Sequence, residues 1–267
     1  VINFKKLIKV SVIALAFVYC AVLIILYTVQ DSLLFPAPVA QINTLPEYAQ
    51  FVEMQTEDGI TLRHVRLRGD EGAPKLMFFH GNGTLAAYEL ERGRIFQENG
   101  FDVLLVEYRG YGGSGGAPSA DAILKDSLEV YDWYQSTPED WIFLYAHSLG
   151  TGVASYLSSK RPARSMVLEA PYSSLSDVAA NKHPIFPVRA LFKHEIKSTE
   201  YLKDNNTPVL IVHGKRDQVI PLKFGEALYD TLDRETSKIE IIDDAGHNDL
   251  TRKGSIDLAL GHFSKSF

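Results

Sequence analysis

The stretch Ala146-His147-Ser148-Leu149-Gly150 joins an apolar run ending at Tyr145 to helix-like sequence from Gly150 to Ser159. A serine at a sharp strand-to-helix turn has its hydroxyl raised above the sheet, and such a bend needs small neighbours. Ala146 and Gly150 stand two positions to either side of Ser148. The hydroxyl becomes a nucleophile when a base takes its proton, and the base must itself be oriented. "IEIIDDAGHNDL" offers His247 as the base, preceded by Gly246, which lets the ring project. "VLIVHGKRDQVIP" offers Asp217 as the orienter, four residues past His213. Asp243 and Asp244 compete for that role, but they precede His247 too closely to place a carboxylate behind its ring. Acyl transfer also needs two N–H donors fixed near the developing oxyanion. Leu149 supplies one from the first turn of a helix, where the amide lacks an intrahelical partner. The loop His80-Gly81-Asn82-Gly83 can turn its backbone toward the same point, with the Asn82 amide as the second donor.

These groups are far apart in the chain, so the elements between them must bring them together. Strand-like runs cover Ile60 to Leu67, Lys75 to Phe79, Val103 to Val106, Trp141 to Tyr145, Arg164 to Leu168, Pro208 to Val212 and Lys238 to Ile242. Helical patterns cover Leu85 to Glu98, Ser119 to Tyr134, Gly150 to Ser159, Lys223 to Leu232 and Ser255 to Phe263. Such alternation predicts an α/β fold, a mostly parallel sheet with helices on both faces. Reactive groups then gather beyond the carboxyl ends of the strands. His80, Tyr108, Ser148, Glu169 and Asp217 all fall just past strand ends.

With these residues in place, the chain resembles the α/β-hydrolase superfamily. HGNG at 80–83, YRGYGGSGG at 108–116, AHSLG at 146–150, HGKRDQVIP at 213–221 and AGHND at 245–249 fall in that family's order. An apolar amino-terminal run and the "FPAP" connector at 35–38 narrow the resemblance to the membrane-anchored Bem-type branch. Relatives of that branch include acyl-protein thioesterase-like serine hydrolases. The resemblance implies a serine hydrolase of carboxylic esters or thioesters, acting on a small molecule or an acylated protein without a cofactor. Ser148 matches the nucleophile, Asp217 the acid, His247 the base, and the Asn82 and Leu149 amides the oxyanion donors. Ala146 departs from the glycine usual at that position. Two rivals share the residues: an amidase or peptidase with the same triad, and a non-catalytic membrane-tethered scaffold.

The rest of the sequence limits the alternatives. After Lys5, Lys6 and Lys9, Val10 to Val29 carries no charge. Twenty residues rise about 30 Å as a helix, a bilayer's hydrocarbon thickness. The run is longer than a signal peptide's apolar segment and lacks an Ala-x-Ala exit, so residues 1–30 read as a cytoplasmic tip and transmembrane anchor. Leading lysines and a following Asp31 place the amino-terminus in the cytoplasm and the catalytic domain on the extracytoplasmic side. Residues 31–50 form a connector, and 51–267 the catalytic domain. Without the three leading lysines, 24 Lys and Arg face 33 Asp and Glu, a balance of −9 that argues against nucleic acid. A single cysteine, Cys20, excludes an intrachain disulfide, and His80, His183, His194, His213 and His262 form no metal set. The YRGYGGSGG loop lacks the Lys-Ser/Thr of a phosphate-binding loop, so Arg109 is expected to pair with a local acid. Residues 172–206 are the one insertion able to cover the pocket, as a short lid. Its Phe186 and Phe192, with Tyr108, are the candidate substrate contacts.

Overall fold

Continuous apolar runs build the middle of the molecule. In the computed structural model, which describes residues 4–38, 40, 42–135, 137 and 140–267, eight strands form one sheet. They are β1 (Gln50–Gln55), β2 (Thr61–Leu67), β3 (Lys75–Phe79), β4 (Asp102–Val106), β5 (Ile142–His147), β6 (Ser165–Glu169), β7 (Val209–Gly214) and β8 (Lys238–Ile242). Their order is β1-β2-β4-β3-β5-β6-β7-β8. The first two pairings, β1 with β2 and β2 with β4, are antiparallel, and the remaining strands run parallel. Every residue of β3, β4, β6 and β7 is buried, as expected of strands covered on both faces.

Alternate side chains of one strand serve opposite cores. Met77, Phe79, Leu144 and Leu168 pack with Val153 and Leu157 of the helix Leu149–Ser158. Leu76, Phe78, Phe143 and Tyr145 pack on the other face with Phe96 and Phe263. The chain is thus an α/β sandwich in which β5 and its following helix occupy the centre. β1 had no counterpart in the sequence reading. Its residues QFVEMQ are mostly polar or half-exposed, with only Met54 buried, so an edge strand left no apolar run to recognise.

The helix Ala120–Tyr134 starts where its cap predicts, with Ser119 Oγ accepting from the Ala122 amide at 3.2 Å. The insertion folds as three short helices, Leu175–Lys182, Val188–Leu191 and Ser198–Leu202. At the amino-terminus, Phe4–Thr28 is a single helix of 25 residues whose most apolar 18-residue stretch has a mean hydropathy of 2.7, long and apolar enough to cross a membrane. It stands outside both cores.

Candidate active site

The turn after β5 is set by backbone sterics. Ser148 takes φ 52° and ψ −119°, a region that L-residues rarely adopt and that costs roughly 1–3 kcal/mol. Neighbouring bonds hold it there: the Ser148 amide donates to Glu169 O at 2.9 Å, and Thr151 donates to Ser148 O through its amide and hydroxyl, at 2.9 and 2.6 Å. Gly150 is required by close approach, since a Cβ there would lie 2.3 Å from Phe79 O. Ala146 is fully buried opposite Phe79 on β3, so its methyl is accommodated where glycine is usual.

Beyond the strand ends the three polar groups converge. His247 Nε2 lies 2.9 Å from Ser148 Oγ, and its Nδ1 lies 2.7 Å from Asp217 Oδ2. The other carboxylate oxygen, Oδ1, accepts from the Val219 and Ile220 amides, each at 2.8 Å. Burial alone would raise the Asp217 carboxyl. The His247 hydrogen bond, the His247 charge and those two amides outweigh it, and the pKa falls below the usual value. An ionised Asp217 places the imidazole proton on Nδ1 and leaves Nε2 free to accept from the serine hydroxyl. Asp243 and Asp244, the sequence competitors, instead form exposed ion pairs with Lys215 and Lys253.

The loop after β3 runs beside Ser148: a Cβ on Gly81 would meet Ser148 Cβ at 3.4 Å and His147 Nδ1 at 2.9 Å. His80 fastens this loop from beneath. Its Nδ1 reaches Gly81 O at 2.7 Å and its Nε2 reaches Glu107 Oε1 at 2.9 Å, so both nitrogens face acceptors. Burial opposes a charge on His80, but the Glu107 hydrogen bond and carboxylate outweigh it and raise the pKa. Among the described residues, the backbone amides of Asn82 and Leu149 have no hydrogen-bond partner. Tyr108 stands differently from a substrate contact: it is buried, and its hydroxyl donates to His80 O at 2.8 Å, supporting the loop from within. The Asn82 side chain is also engaged, donating from Nδ2 to Leu34 O at 2.6 Å and accepting from Tyr111 Oη at 3.2 Å. Phe186 and Phe192 are half-buried on the insertion, and Phe186 stacks on Tyr19 with ring centroids 5.9 Å apart. Arg109 pairs with Asp126 and Asp58, as an internal strut. Two surface clefts, about 450 and 750 Å³, open elsewhere, and neither is lined by Ser148, Asp217 or His247.

Sequence reasoning gave His147 no role. In the structure its Nε2 donates to the backbone carbonyl of His247 at 3.0 Å, tying the strand end to the loop that carries the imidazole. Below it Glu169 is fully buried with Arg92 and Tyr145. No local pattern announces these contacts, because their partners lie 100 and 77 residues away.

Two neutral histidines, His64 buried and His147 half-buried, make this support acid-sensitive. Burial lowers His64 to about 3 and His147 to about 4, and His64 Nδ1 accepts from the Glu107 amide at 3.0 Å, a bond the imidazolium cannot make. Both folded-state values lie below the ordinary 6.5, so the unfolded chain takes up protons first as pH falls. Stability should be intact above about pH 6.5 and decline toward pH 4, by roughly 3 kcal/mol per histidine. Urea unfolding of the protein and of its His64→Gln and His147→Gln variants at stepped pH checks this; each variant should show the shallower decline.

Known proteins give the wider setting. The family model for hydrolases described as serine aminopeptidase, S33, matches residues 71–198. An uncharacterized protein of Mycobacterium tuberculosis is 28% identical over 256 residues, covering 92% of this chain and 91% of the relative. Human ABHD12B is 33% identical over 185 residues, 60% of this chain and 50% of its own length. Rat lysophosphatidylserine lipase ABHD12 is 28% identical over 199 residues, 66% and 48% of the two chains. The chain therefore spans about half the length of these two animal relatives. In fold, a Pyrococcus furiosus esterase superposes with a TM-score of 0.71 at 19% identity, covering 87% of this chain and 98% of the esterase. A bacterial membrane phospholipase A superposes with a TM-score of 0.66 at 16% identity, covering 99% and 97%. Strand order, the strained serine turn and these likenesses agree, and the chain has the α/β-hydrolase fold.

Proposed function

We propose that this chain is a membrane-anchored serine hydrolase that cleaves carboxylic ester or thioester bonds through an acyl-enzyme on Ser148. The observation that carries the reading is a single imidazole, His247, bonded to Ser148 Oγ at 2.9 Å and to Asp217 Oδ2 at 2.7 Å. Ser148 Oγ attacks the acyl carbon while its proton passes to His247 Nε2. The Asn82 and Leu149 amides receive the oxyanion. His247 then gives the proton to the departing alcohol or thiol as the bond to the acyl carbon breaks. Water enters, loses a proton to the same nitrogen, and releases the acid from Ser148.

The substrate class follows from what surrounds that centre. The apolar insertion with Phe186 and Phe192, next to a helix able to enter a bilayer, suits an acyl chain delivered from lipid. Relatives named as lysophosphatidylserine lipases support a single-chain lipid ester over an acylated protein. Lys5, Lys6 and Lys9, ahead of the helix's uncharged run, support a cytoplasmic amino-terminus and an extracytoplasmic catalytic domain. A second reading, amide cleavage, is favoured by the aminopeptidase description of the matching family model.

Purified full-length protein should react with a fluorophosphonate probe and hydrolyse esters and thioesters of graded chain length, with aminoacyl arylamides turned over at least 100-fold more slowly. Replacing Phe186 and Phe192 together with Ala should cost about 10-fold more on long-chain esters than on acetyl esters, reflecting the lost burial of the chain. Faster arylamide cleavage would select the peptidase reading, and no labelling at all would leave the scaffold.

A further inference from the structure

The insertion and the apolar helix meet in an order that has a physical meaning. Tyr19 Oη donates to Ile185 O at 3.0 Å, and the Tyr19 ring stacks on Phe186. Further along the helix, Lys193 Nζ sits 4.0 Å from the centroid of the Tyr27 ring. Gln30 then brackets the insertion, its Nε2 donating to Leu191 O at 2.9 Å and its Oε1 accepting from the Lys193 amide at 3.0 Å. Last comes Asp31, 2.6 Å from His194 Nε2. Residues 185 to 194 thus run alongside residues 19 to 31 in the same direction.

Tyr19 lies nine residues before Thr28, about 14 Å down a helix rising 1.5 Å per residue. A helix that crosses a bilayer holds that level inside the hydrocarbon. The chemistry of the insertion changes with the same depth. Its deep end is Pro184-Ile185-Phe186-Pro187-Val188, and its shallow end carries Lys193 and His194. Ile185 is 73% exposed, on a par with Leu15 and Phe17 of the helix at 70% and 76%.

Most of the segment's backbone polarity is also masked, as lipid requires, with the Ile185 amide left open. Pro184 and Pro187 have no N–H, and the Phe186, Val188 and Ala190 amides donate within the segment, to His183 O, Phe186 O and Pro187 O. The Ile185 carbonyl is taken by Tyr19. Arg189, the charge in this stretch, is drawn aside by Asp177 at 2.7 Å.

We propose that residues 184–188 are a second membrane-embedded element, seated in the acyl chains of the same bilayer beside Phe4–Thr28, so that the insertion is held at the lipid surface. The proposal rests on the helix being a membrane anchor. From the embedded tip the insertion leads back to Ile196, which packs against Gly152, four residues beyond Ser148.

The test is made on full-length protein reconstituted in phosphatidylcholine vesicles. A Cys20→Ser background carries a single bimane-labelled cysteine at position 185, from Ile185→Cys, or at position 12, from Val12→Cys. Doxyl groups deep in the lipid chains should quench both labels, while aqueous iodide quenches neither. Quenching at 12 with iodide access at 185 would overturn the embedded tip and leave the anchor standing. Lipid quenching at neither position would remove the anchor, and the proposal with it. Protection of 185 from both quenchers would mean that a second copy covers it, which also overturns the proposal. In the same vesicles, Ile185→Asp should lower hydrolysis of a vesicle-borne long-chain ester about 10-fold and leave a soluble acetyl ester unchanged. Equal rates on both would count against it.

Discussion

Substituting Ser148 with Ala is expected to lower ester hydrolysis by about four to six orders of magnitude and abolish fluorophosphonate labelling, with the fold intact. The size of the loss comes from what remains: the Asn82 and Leu149 amides, proposed to receive the oxyanion, and any binding surface are kept, but no acyl-enzyme can form. The same position gives a stability readout that separates nucleophile from mere turn. Ser148 holds φ 52°, strain that alanine keeps and glycine relieves. Less the entropy of ordering a glycine, Ser148→Gly should be more stable than Ser148→Ala by about 1 kcal/mol. Both variants should be equally inactive. Steady-state kinetics with long-chain and acetyl esters, together with thermal melts, check the pair. Activity of S148A within 10-fold of the parent would sink the serine mechanism.

The sheet's centre was legible because burial on both faces writes a continuous apolar run into the chain. KLMFF, DVLLV and VLIVHG are wholly buried as β3, β4 and β7. The edges differed: β1 buries only Met54 and went unrecognised, whereas β8, with none of its residues buried, was still legible through the β-branched residues of KIEII. Turn chemistry was legible for a related reason. A strained φ at Ser148 needs Gly150 beside it, and a glycine cannot be disguised. What stayed hidden depends on partners distant in sequence. Tyr108 looked available to substrate because it follows a strand, yet its hydroxyl is spent on His80 O. Nothing near Asn82 shows that its side chain reaches Leu34, 48 residues earlier, or that the insertion lies along a helix more than 160 residues before it.

Asp217→Asn tests the role of the acid through hydrogen-bond geometry alone. In the parent, Oδ1 accepts from the Val219 and Ile220 amides while Oδ2 faces His247 Nδ1. The asparagine carbonyl oxygen must keep the first position, because two backbone donors point at it. Its NH₂ then faces His247, and two donors cannot meet, so the imidazole proton moves from Nδ1 to Nε2. A protonated Nε2 in front of Ser148 Oγ is a donor where catalysis needs an acceptor. We expect kcat to fall about 10⁴-fold with KM little changed, since the substitution is isosteric and the serine, oxyanion amides and insertion are untouched. Neighbouring acids offer no rescue, as Asp243 and Asp244 are exposed and paired with lysines. Burst kinetics should show acylation slowed as much as turnover, because the lost base acts in the first step. A variant that kept kcat within 10-fold would mean that His247 finds its proton without Asp217, and the carboxylate would be reassigned to holding the loop through its two amides.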